Sequence, residues 1–352
     1  MVMEFKAFRG QHDGSVKESV GRVDDIGDND VLIKLTHAGL CFTDVHHIEL
    51  GNALGHEPTG NIVETGKDVR HLKVGDMVGY GYNHGSCDDC DECRLGNDTL
   101  CNDRKLYGQV DLDFGGFGEY AKLNERFVHK IPEGMAPEHA APLQCAGATV
   151  FAPFLKHDIK PIHRVGVIGI GGLGHLALQV ANKWGCSVGA FTTSENKVAE
   201  AKSFGAHDVI VTKRADGKSF VPEKEEEKFD FIFCSVSSQL SSPLGRLLDC
   251  LKARGTIIPL GVDFGKFETN RYFSLLAREN KVVTASDHAR EQGRGSLVAT
   301  RYEHQKMLEF CARHDIKPAV EVLDLNEKNL NIAFERLQKN DVRYRFVLKH
   351  QE

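Results

Sequence analysis

Hydrophobic positions along this chain follow two different periods. Val165-Gly-Val-Ile-Gly-Ile170 is a short apolar run with β-branched residues, the pattern of a strand buried on both faces. Directly after it, Leu173, Leu176, Ala177, Val180 and Ala181 recur at helical spacing. The same switch repeats downstream. Strands are predicted at 165–170, 187–192, 208–212, 229–234 and 255–260, and helices at 173–184, 195–204 and 241–252. Such alternation predicts a parallel sheet covered by helices on both faces. Upstream the texture differs. Val31-Leu-Ile-Lys-Leu-Thr36, Gly60-Asn-Ile-Val-Glu-Thr-Gly66 and Asp76-Met-Val-Gly-Tyr80 are short strand-like runs broken by Gly, Asp and Asn, so residues 1 to about 150 read as mainly β. Ala140 to Phe154 is Ala-rich and predicted helical. After about 285 the alternation fades into a helix near 303–314 and a closing strand, Arg343-Tyr-Arg-Phe-Val-Leu348.

Between the first strand and helix of the alternating region lies Gly169-x-Gly171-Gly172-x-Gly174. Glycine permits a tight turn and close backbone approach, and a helix N-terminus offers unpaired N–H groups and a positive dipole end to a pyrophosphate. A glycine turn that binds nothing is the rival reading, and the strand–turn–helix context disfavours it. Gly169, Gly171, Gly172, Leu173 and Gly174 are therefore the candidate dinucleotide contacts. The next strand ends in Thr193-Ser194 with Lys197 beyond it, where an NAD enzyme usually carries an acid for the ribose 2′-OH. Glu195 lies past the strand end. Hydroxyls and a lysine suit a 2′-phosphate, which a strand-end carboxylate would repel, so NADP(H) is preferred. An ordinary helix N-cap at Ser194 is the lesser alternative and does not exclude that role. Gly261 and Ser286 follow later strand ends, at the sheet edge where nicotinamide binds in such folds.

Composition narrows the field. A length of 352 residues suits two domains, and a net charge of −6 offers no broad basic field for nucleic acid. No apolar run approaches a membrane span, and neither terminus resembles a sorting signal. Four of ten cysteines, Cys87-x2-Cys90-x2-Cys93-x7-Cys101, fall on one irregular loop. In a reducing cytosol such a cluster reads as a metal site. Four thiolates fill a tetrahedral zinc shell and leave no open position, the mark of a structural site; an iron–sulfur cluster is the alternative.

Further candidates are scattered: Cys41-Phe-Thr-Asp44, Gly55-His-Glu57 and Gln144-Cys-Ala-Gly147. Spacing alone does not join them, and Cys145 by itself reads as a small buried residue. Taken together, however, Cys41-x-Thr43-Asp44-x-His46, Gly55-His56-Glu57, Val74-Gly75-Asp76-x-Val78-Gly79, the quartet, Pro142-Leu143-x-Cys145-Ala146-Gly147-x-Thr149, the glycine turn and Val342-Arg-Tyr-Arg-Phe-Val347 resemble the zinc-dependent medium-chain alcohol dehydrogenases, in their cinnamyl alcohol dehydrogenase-like branch. The resemblance spans nearly the whole chain.

It implies an α/β fold, with a mainly β GroES-like catalytic domain at 1–150 and 286–352 and a doubly wound Rossmann domain at 151–285 that binds NADP(H). It also implies two zinc ions per chain. Cys41, His56 and Cys145 would hold the catalytic one, with Glu57 an alternative ligand. Thr43 would take a proton from the substrate alcohol, His46 would carry it outward, Asp44 would stand behind the metal, and Thr149 would contact the nicotinamide side. The family is also commonly homodimeric. The implied activity is a cytoplasmic alcohol dehydrogenase acting on a small alcohol or aldehyde, chiefly as an aldehyde reductase.

Two departures bear on this expectation. Phe42 stands where plant members carry His, and only fifteen positions separate Cys41 from His56, a spacing that resembles a fungal subfamily with a shortened loop. That loop borders the substrate channel in the family. His47, which falls on it, reads as a solvated surface residue. Two rival readings stay open: reduction of a conjugated C=C or imine on the same fold, and a nucleotide-binding protein without catalysis.

Overall fold

The computed structural model describes residues 2–212, 222, 224–236, 244–260, 277–283 and 299–351. Gly261 and Ser286 lie outside the described residues. The chain divides into two compact units, Met1–Ala148 with Val298–Glu352, and Thr149–Leu297.

In the first unit, β1 (Met3–Gly10) and β2 (Val16–Val23) form an antiparallel pair. The longest strand, β3 (Asp30–Leu40), pairs antiparallel with β4 (Glu57–Thr65), which pairs in turn with β5 (Met77–Gly79). A short hairpin of β6 (Asn83–Gly85) and β7 (Lys105–Leu106) closes the base of the loop that carries the four cysteines. β8 (Tyr120–Asn124) pairs β3, and β9 (His129–Lys130) pairs β5. One side packs Phe5, Ile33, Ile62, Val78 and Tyr80 into a core; a second core gathers Leu40, Leu54, Phe117, Phe334 and Phe346.

Among the described residues the second unit holds six parallel strands: β10 (Arg164–Ile168), β11 (Ser187–Thr192), β12 (Asp208–Val211), β13 (Phe229–Cys234), β14 (Leu251–Pro259) and β15 (Lys281–Val282). Their order is β12-β11-β10-β13-β14-β15, so the chain leaves β10 first to one side and then to the other. That reversal at β10 is the switch point where open α/β sheets bind ligands beyond their strand ends. The chain then returns to the first unit, where β16 (Val320–Asp324) runs parallel to β17 (Arg345–Lys349) and β17 pairs antiparallel with β3.

Three expectations change in detail. The segment predicted helical at 241–252 holds a helix at Leu244–Asp249, and β14 begins at Leu251, earlier than the expected 255. Leu247, Leu248, Cys250 and Leu251 fit a short helix as well as a strand. The tie is broken by pairing of Leu251 with Phe229, followed by a bulge that brings Thr256 opposite Phe231. The stretch 195–204 splits into a 3-10 turn, Glu195–Lys197, and a helix, Val198–Ser203. The Ala-rich segment is not one helix either. Pro137–Pro142 is α-helical, Leu143–Gly147 widens into a π turn, and Ala148–Lys156 resumes the α-helix. Pro142 lacks an N–H for the ladder, and π turns of this kind mark functional positions. Among the described residues no helix is long and apolar enough to cross a membrane.

Candidate active site

Strand ends assemble the first cluster. Cys41 directly follows β3, His56 directly precedes β4, and Gly39 of β3 faces Glu57 of β4. Gly39 is required there, because a Cβ would come within 2.2 Å of Glu57 Oε2. Cys145 arrives from the π turn. Ligand atoms of Cys41, His56, Glu57 and Cys145 all lie within 4.8 Å of one another. Asp44, on the short helix Phe42–His46, organises the surroundings. Its Oδ2 accepts the Cys41 N–H at 3.0 Å, and its Oδ1 accepts from Gly55 N at 3.1 Å, His56 Nδ1 at 2.9 Å and the Tyr107 hydroxyl at 3.1 Å. An ionised carboxylate only accepts, so His56 Nδ1 carries its hydrogen. Nε2 remains buried with no hydrogen-bond partner. Two thiols and an unpartnered imidazole nitrogen form a three-donor set that fits zinc with a fourth position open, while the Glu57 carboxylate, paired with Arg345, stands within reach as an alternative ligand.

The electrostatics fit the same description. Burial alone would lower the His56 pKa, but the charge and hydrogen bond of Asp44 outweigh it and raise the value well above the ordinary one. A carboxylate behind a histidine makes the opposite ring nitrogen a stronger donor. Hydrogen bonding from Cys145 pulls the Cys41 thiol well below its usual range, with Arg345 and His56 assisting against burial. Burial pushes Glu57 up to about 7, against the pull of its ion-pair partner Arg345. Arg345, the first residue of β17, donates to both carboxylate oxygens of Glu57.

Thr43 is half-buried, with Oγ1 3.8 Å from Cys41 Sγ. His46 is exposed and its ring lies 5.9 Å from that of Phe42, itself 44% exposed. His47 is not the solvated side chain expected from its loop. It is buried, its ring stacks on Tyr107 at 4.6 Å, and burial lowers its pKa to about 4. A long-range aromatic partner overrides the polarity of the local sequence.

In the quartet, the four sulfurs of Cys87, Cys90, Cys93 and Cys101 also lie within 4.8 Å of each other. Sulfurs around a tetrahedral ion with bonds of about 2.3 Å stand roughly 3.8 Å apart. Here Cys87 Sγ is 3.9 Å from Cys93 Sγ and 3.5 Å from Cys101 Sγ. The N–H groups of Asp89 and Cys90 point at Cys87 Sγ and hold its pKa down at about 7. The acids at the rim serve the lobe rather than the sulfurs: Asp88 pairs with Arg126 and Arg301.

In the second unit the glycine turn follows β10. Gly169 takes φ +85°, a left-handed conformation that favours glycine, and a Cβ at Gly174 would lie 1.8 Å from the Gly169 carbonyl oxygen. A Cβ at Gly171 would meet nothing within 4 Å, so the turn presents open space there. Leu173 is the N-cap of helix Gly174–Trp184, while Gly172 is part of the approach to it. His175, fully buried, fixes the turn through Nδ1, 2.9 Å from the Gly171 oxygen. Beyond β11, Thr193 is exposed, Ser194 is bonded to Asn196 at 2.5 Å, and Lys197 Nζ donates to the Ile170 carbonyl at 2.8 Å. Lys197 thus ties the end of the second strand to the glycine turn. Thr149 is buried near the start of helix Ala148–Lys156.

Comparison with known proteins identifies the family. Residues 27–133 match the alcohol dehydrogenase GroES-like domain, and residues 172–313 match the zinc-binding dehydrogenase model. A probable cinnamyl alcohol dehydrogenase of Populus deltoides is 36% identical over 92% of this chain and 89% of its own length. A cinnamyl alcohol dehydrogenase structure from Sorghum bicolor superposes with a TM-score of 0.85 at 30% identity, covering 99% of this chain and 98% of that one. The CAD of Helicobacter pylori complexed with NADP(H) gives a TM-score of 0.84 at 26% identity, covering 99% of both. The chain belongs to the cinnamyl alcohol dehydrogenase-like branch of the zinc-dependent medium-chain dehydrogenases.

Some residues of this dehydrogenase's site escaped the sequence reading. Arg345 was visible in the closing strand and in the Val342–Val347 piece of the family resemblance, but nothing local shows that it meets Glu57. Tyr107 follows the quartet at close range, and its position just past Cys101 is the one signal that could have drawn attention to it. Gln144, wholly buried beside Cys145, pairs Oε1 with His304 Nε2 at 3.0 Å. Gln144 stood inside a candidate segment of the sequence, but neither its burial nor its distant partner could be read there.

Proposed function

We propose that this alcohol dehydrogenase-like oxidoreductase uses NADP(H), carries two zinc ions per chain and works mainly as an aldehyde reductase on a small primary alcohol–aldehyde couple. The observation that carries the reading is His56, held by Asp44 through Nδ1, with Nε2 buried and unpartnered beside Cys41 and Cys145. When bound, zinc would supply a Lewis acid for the substrate oxygen and the nicotinamide would supply the reducing equivalent.

The chain's own residues have separable tasks. Cys41, His56 and Cys145 hold the metal, and Glu57 stands by as a further ligand, restrained by Arg345. Asp44 orients His56. In the reductive direction Thr43 would pass a proton from Oγ1 to the substrate oxygen and draw its replacement from His46 at the protein surface; alcohol oxidation would run the same path outward. In the second unit, Gly169, Gly171, Gly172, Leu173 and Gly174 bind the pyrophosphate through backbone groups. Thr193, Ser194 and Lys197 take the 2′-phosphate, and Thr149 contacts the nicotinamide side. The quartet binds a structural zinc and performs no chemistry. Ten cysteines outside any disulfide suit a reducing compartment, so we place the enzyme in the cytoplasm, and we expect a homodimer, which sedimentation would reveal.

Zinc per chain on freshly purified protein tests the reading, with Cys145→Ser alongside. The expected result is about two zinc ions, falling to about one in the variant together with loss of NADPH-dependent aldehyde reduction. One zinc in both proteins would leave only the quartet filled and remove the catalytic assignment.

A further inference from the structure

We infer that Tyr107 is a positioning residue for the cluster of Cys41, His56 and Cys145, and that its hydroxyl transmits the hold of the cysteine quartet to that cluster. The inference rests on the zinc reading above.

Tyr107 is 1% exposed, and its O–H ends on Asp44 Oδ1 at 3.1 Å. That oxygen also takes His56 Nδ1 and Gly55 N, while Oδ2 takes the Cys41 N–H. Four donors fix the carboxylate in both rotation and charge. The phenol shares one oxygen with the imidazole, so it sets how much of that oxygen's charge His56 receives and which plane its ring adopts. Removing the phenol O–H would leave His56 with one fewer competitor and the carboxylate with one fewer restraint.

The ring itself is held in place. It stacks on His47 at 4.6 Å and lies 5.2 Å from the His56 ring and 5.9 Å from that of Tyr82. Its backbone is anchored to the quartet loop: Tyr107 N donates to the Tyr82 carbonyl at 2.9 Å, and the two residues just before it form β7, paired with β6. β6 leads into Cys87 and β7 leads away from Cys101. Fixing four sulfurs around one ion therefore fixes the hairpin at the loop's base, and the hairpin delivers Tyr107. Contacts run unbroken from quartet to hairpin, to Tyr107, to Asp44, to His56. This gives the quartet a consequence at the other metal position without any chemistry of its own.

Phenylalanine keeps the ring and loses only the hydroxyl, so a packing role and a positioning role separate cleanly. The full-length, metal-loaded protein is compared with Tyr107→Phe, Cys101→Ser and the double variant. Release of zinc into a chelating dye is followed in time, and Cys145→Ser identifies the phase that belongs to the second cluster. Tyr107→Phe is expected to speed that phase about tenfold, with the quartet phase unchanged. In cobalt(II)-substituted protein it should shift only the Cys145-dependent visible bands. Cys101→Ser should speed the same phase, and Tyr107→Phe should add nothing to it, because both act through one hydroxyl. Unchanged release and an unchanged cobalt spectrum in Tyr107→Phe, which needs no quartet variant to interpret, would overturn the positioning role. Additive effects in the double variant would overturn the route from the quartet. Wild-type protein with no Cys145-dependent metal would remove the zinc reading itself, and the inference with it.

Discussion

Glu57 and Arg345 meet from β4 and β17, the two strands that flank β3, 288 residues apart in sequence, and both are buried. The guanidinium holds a carboxylate that burial would otherwise drive toward its neutral form. Arg345→Met should therefore destabilise the protein, by about 3 kcal/mol, the usual cost of stranding one member of a buried pair. Glu57→Gln in the same background should recover much of that loss, since no charge is then left unpaired. Urea denaturation of the three proteins checks this. If the double variant is no more stable than Arg345→Met, the pair is not an isolated electrostatic unit.

His129 and His304, both buried, stack face to face at 3.9 Å. Burial, with Arg301 nearby, lowers the His129 pKa to about 3, and burial with His129 lowers that of His304 well below its usual value. Both folded-state values lie under the unfolded value of about 6.5. Below that pH the unfolded chain takes up protons that the folded one refuses, so stability is fully present above about 6.5 and falls as pH drops below it. Each histidine contributes a slope of about 1.4 kcal/mol per pH unit, so the pair should cost about 3 kcal/mol between pH 8 and pH 5.5. His129→Phe should flatten the measured slope in this window. A slope equal to that of wild type would show that His129 charges in the folded state.

What the sequence disclosed and what it hid divide by distance along the chain. The glycine turn was legible because strand, turn and helix lie within 164–184, where a change of hydrophobic period can be seen directly. The quartet was legible because its four thiols share one loop. The other cluster needed the family resemblance, since Cys41, His56 and Cys145 are joined only by sheet pairing and the π turn. His47 was misplaced because a loop histidine is solvated by default, and its burial depends on Tyr107, which a reading of the loop cannot see. The same limit hid Asp44 as a shared acceptor: three of its four donors come from Gly55, His56 and Tyr107, on other segments. At 241–252 the difficulty was different. A short apolar run carries no information about which period will win until its partner strand is known.

The glycine turn offers a substitution that separates binding from folding. A Cβ at Gly171 meets nothing in the protein, whereas one at Gly174 lies 1.8 Å from a carbonyl oxygen. Gly171→Ala should leave the thermal midpoint within experimental error and weaken NADPH binding at least about tenfold, because the methyl occupies the space of close backbone approach. Gly174→Ala should lose stability as well as binding. NADPH fluorescence titration and thermal melts on both variants distinguish them. Full NADPH affinity in Gly171→Ala would mean that the pyrophosphate does not approach this turn.

Lys197 bears on the choice between the two nicotinamide dinucleotides. Its ammonium already donates to the Ile170 carbonyl, so it stands where β11 ends and the glycine turn begins, with the Thr193 and Ser194 hydroxyls preceding it and no acid at the strand end. A charge-assisted bond to phosphate is worth about 1.5–3 kcal/mol. Lys197→Met should therefore weaken NADPH binding roughly ten- to hundredfold and leave NADH binding nearly unchanged, since the two cofactors differ only at the 2′ position. Lys197→Arg should retain most of the NADPH affinity. The control is internal to the comparison: loss of the Ile170 contact alone would loosen the glycine turn and weaken both dinucleotides by the same factor. Equal losses for NADPH and NADH would thus assign Lys197 to holding the turn and withdraw the 2′-phosphate role, while a loss confined to NADPH supports it.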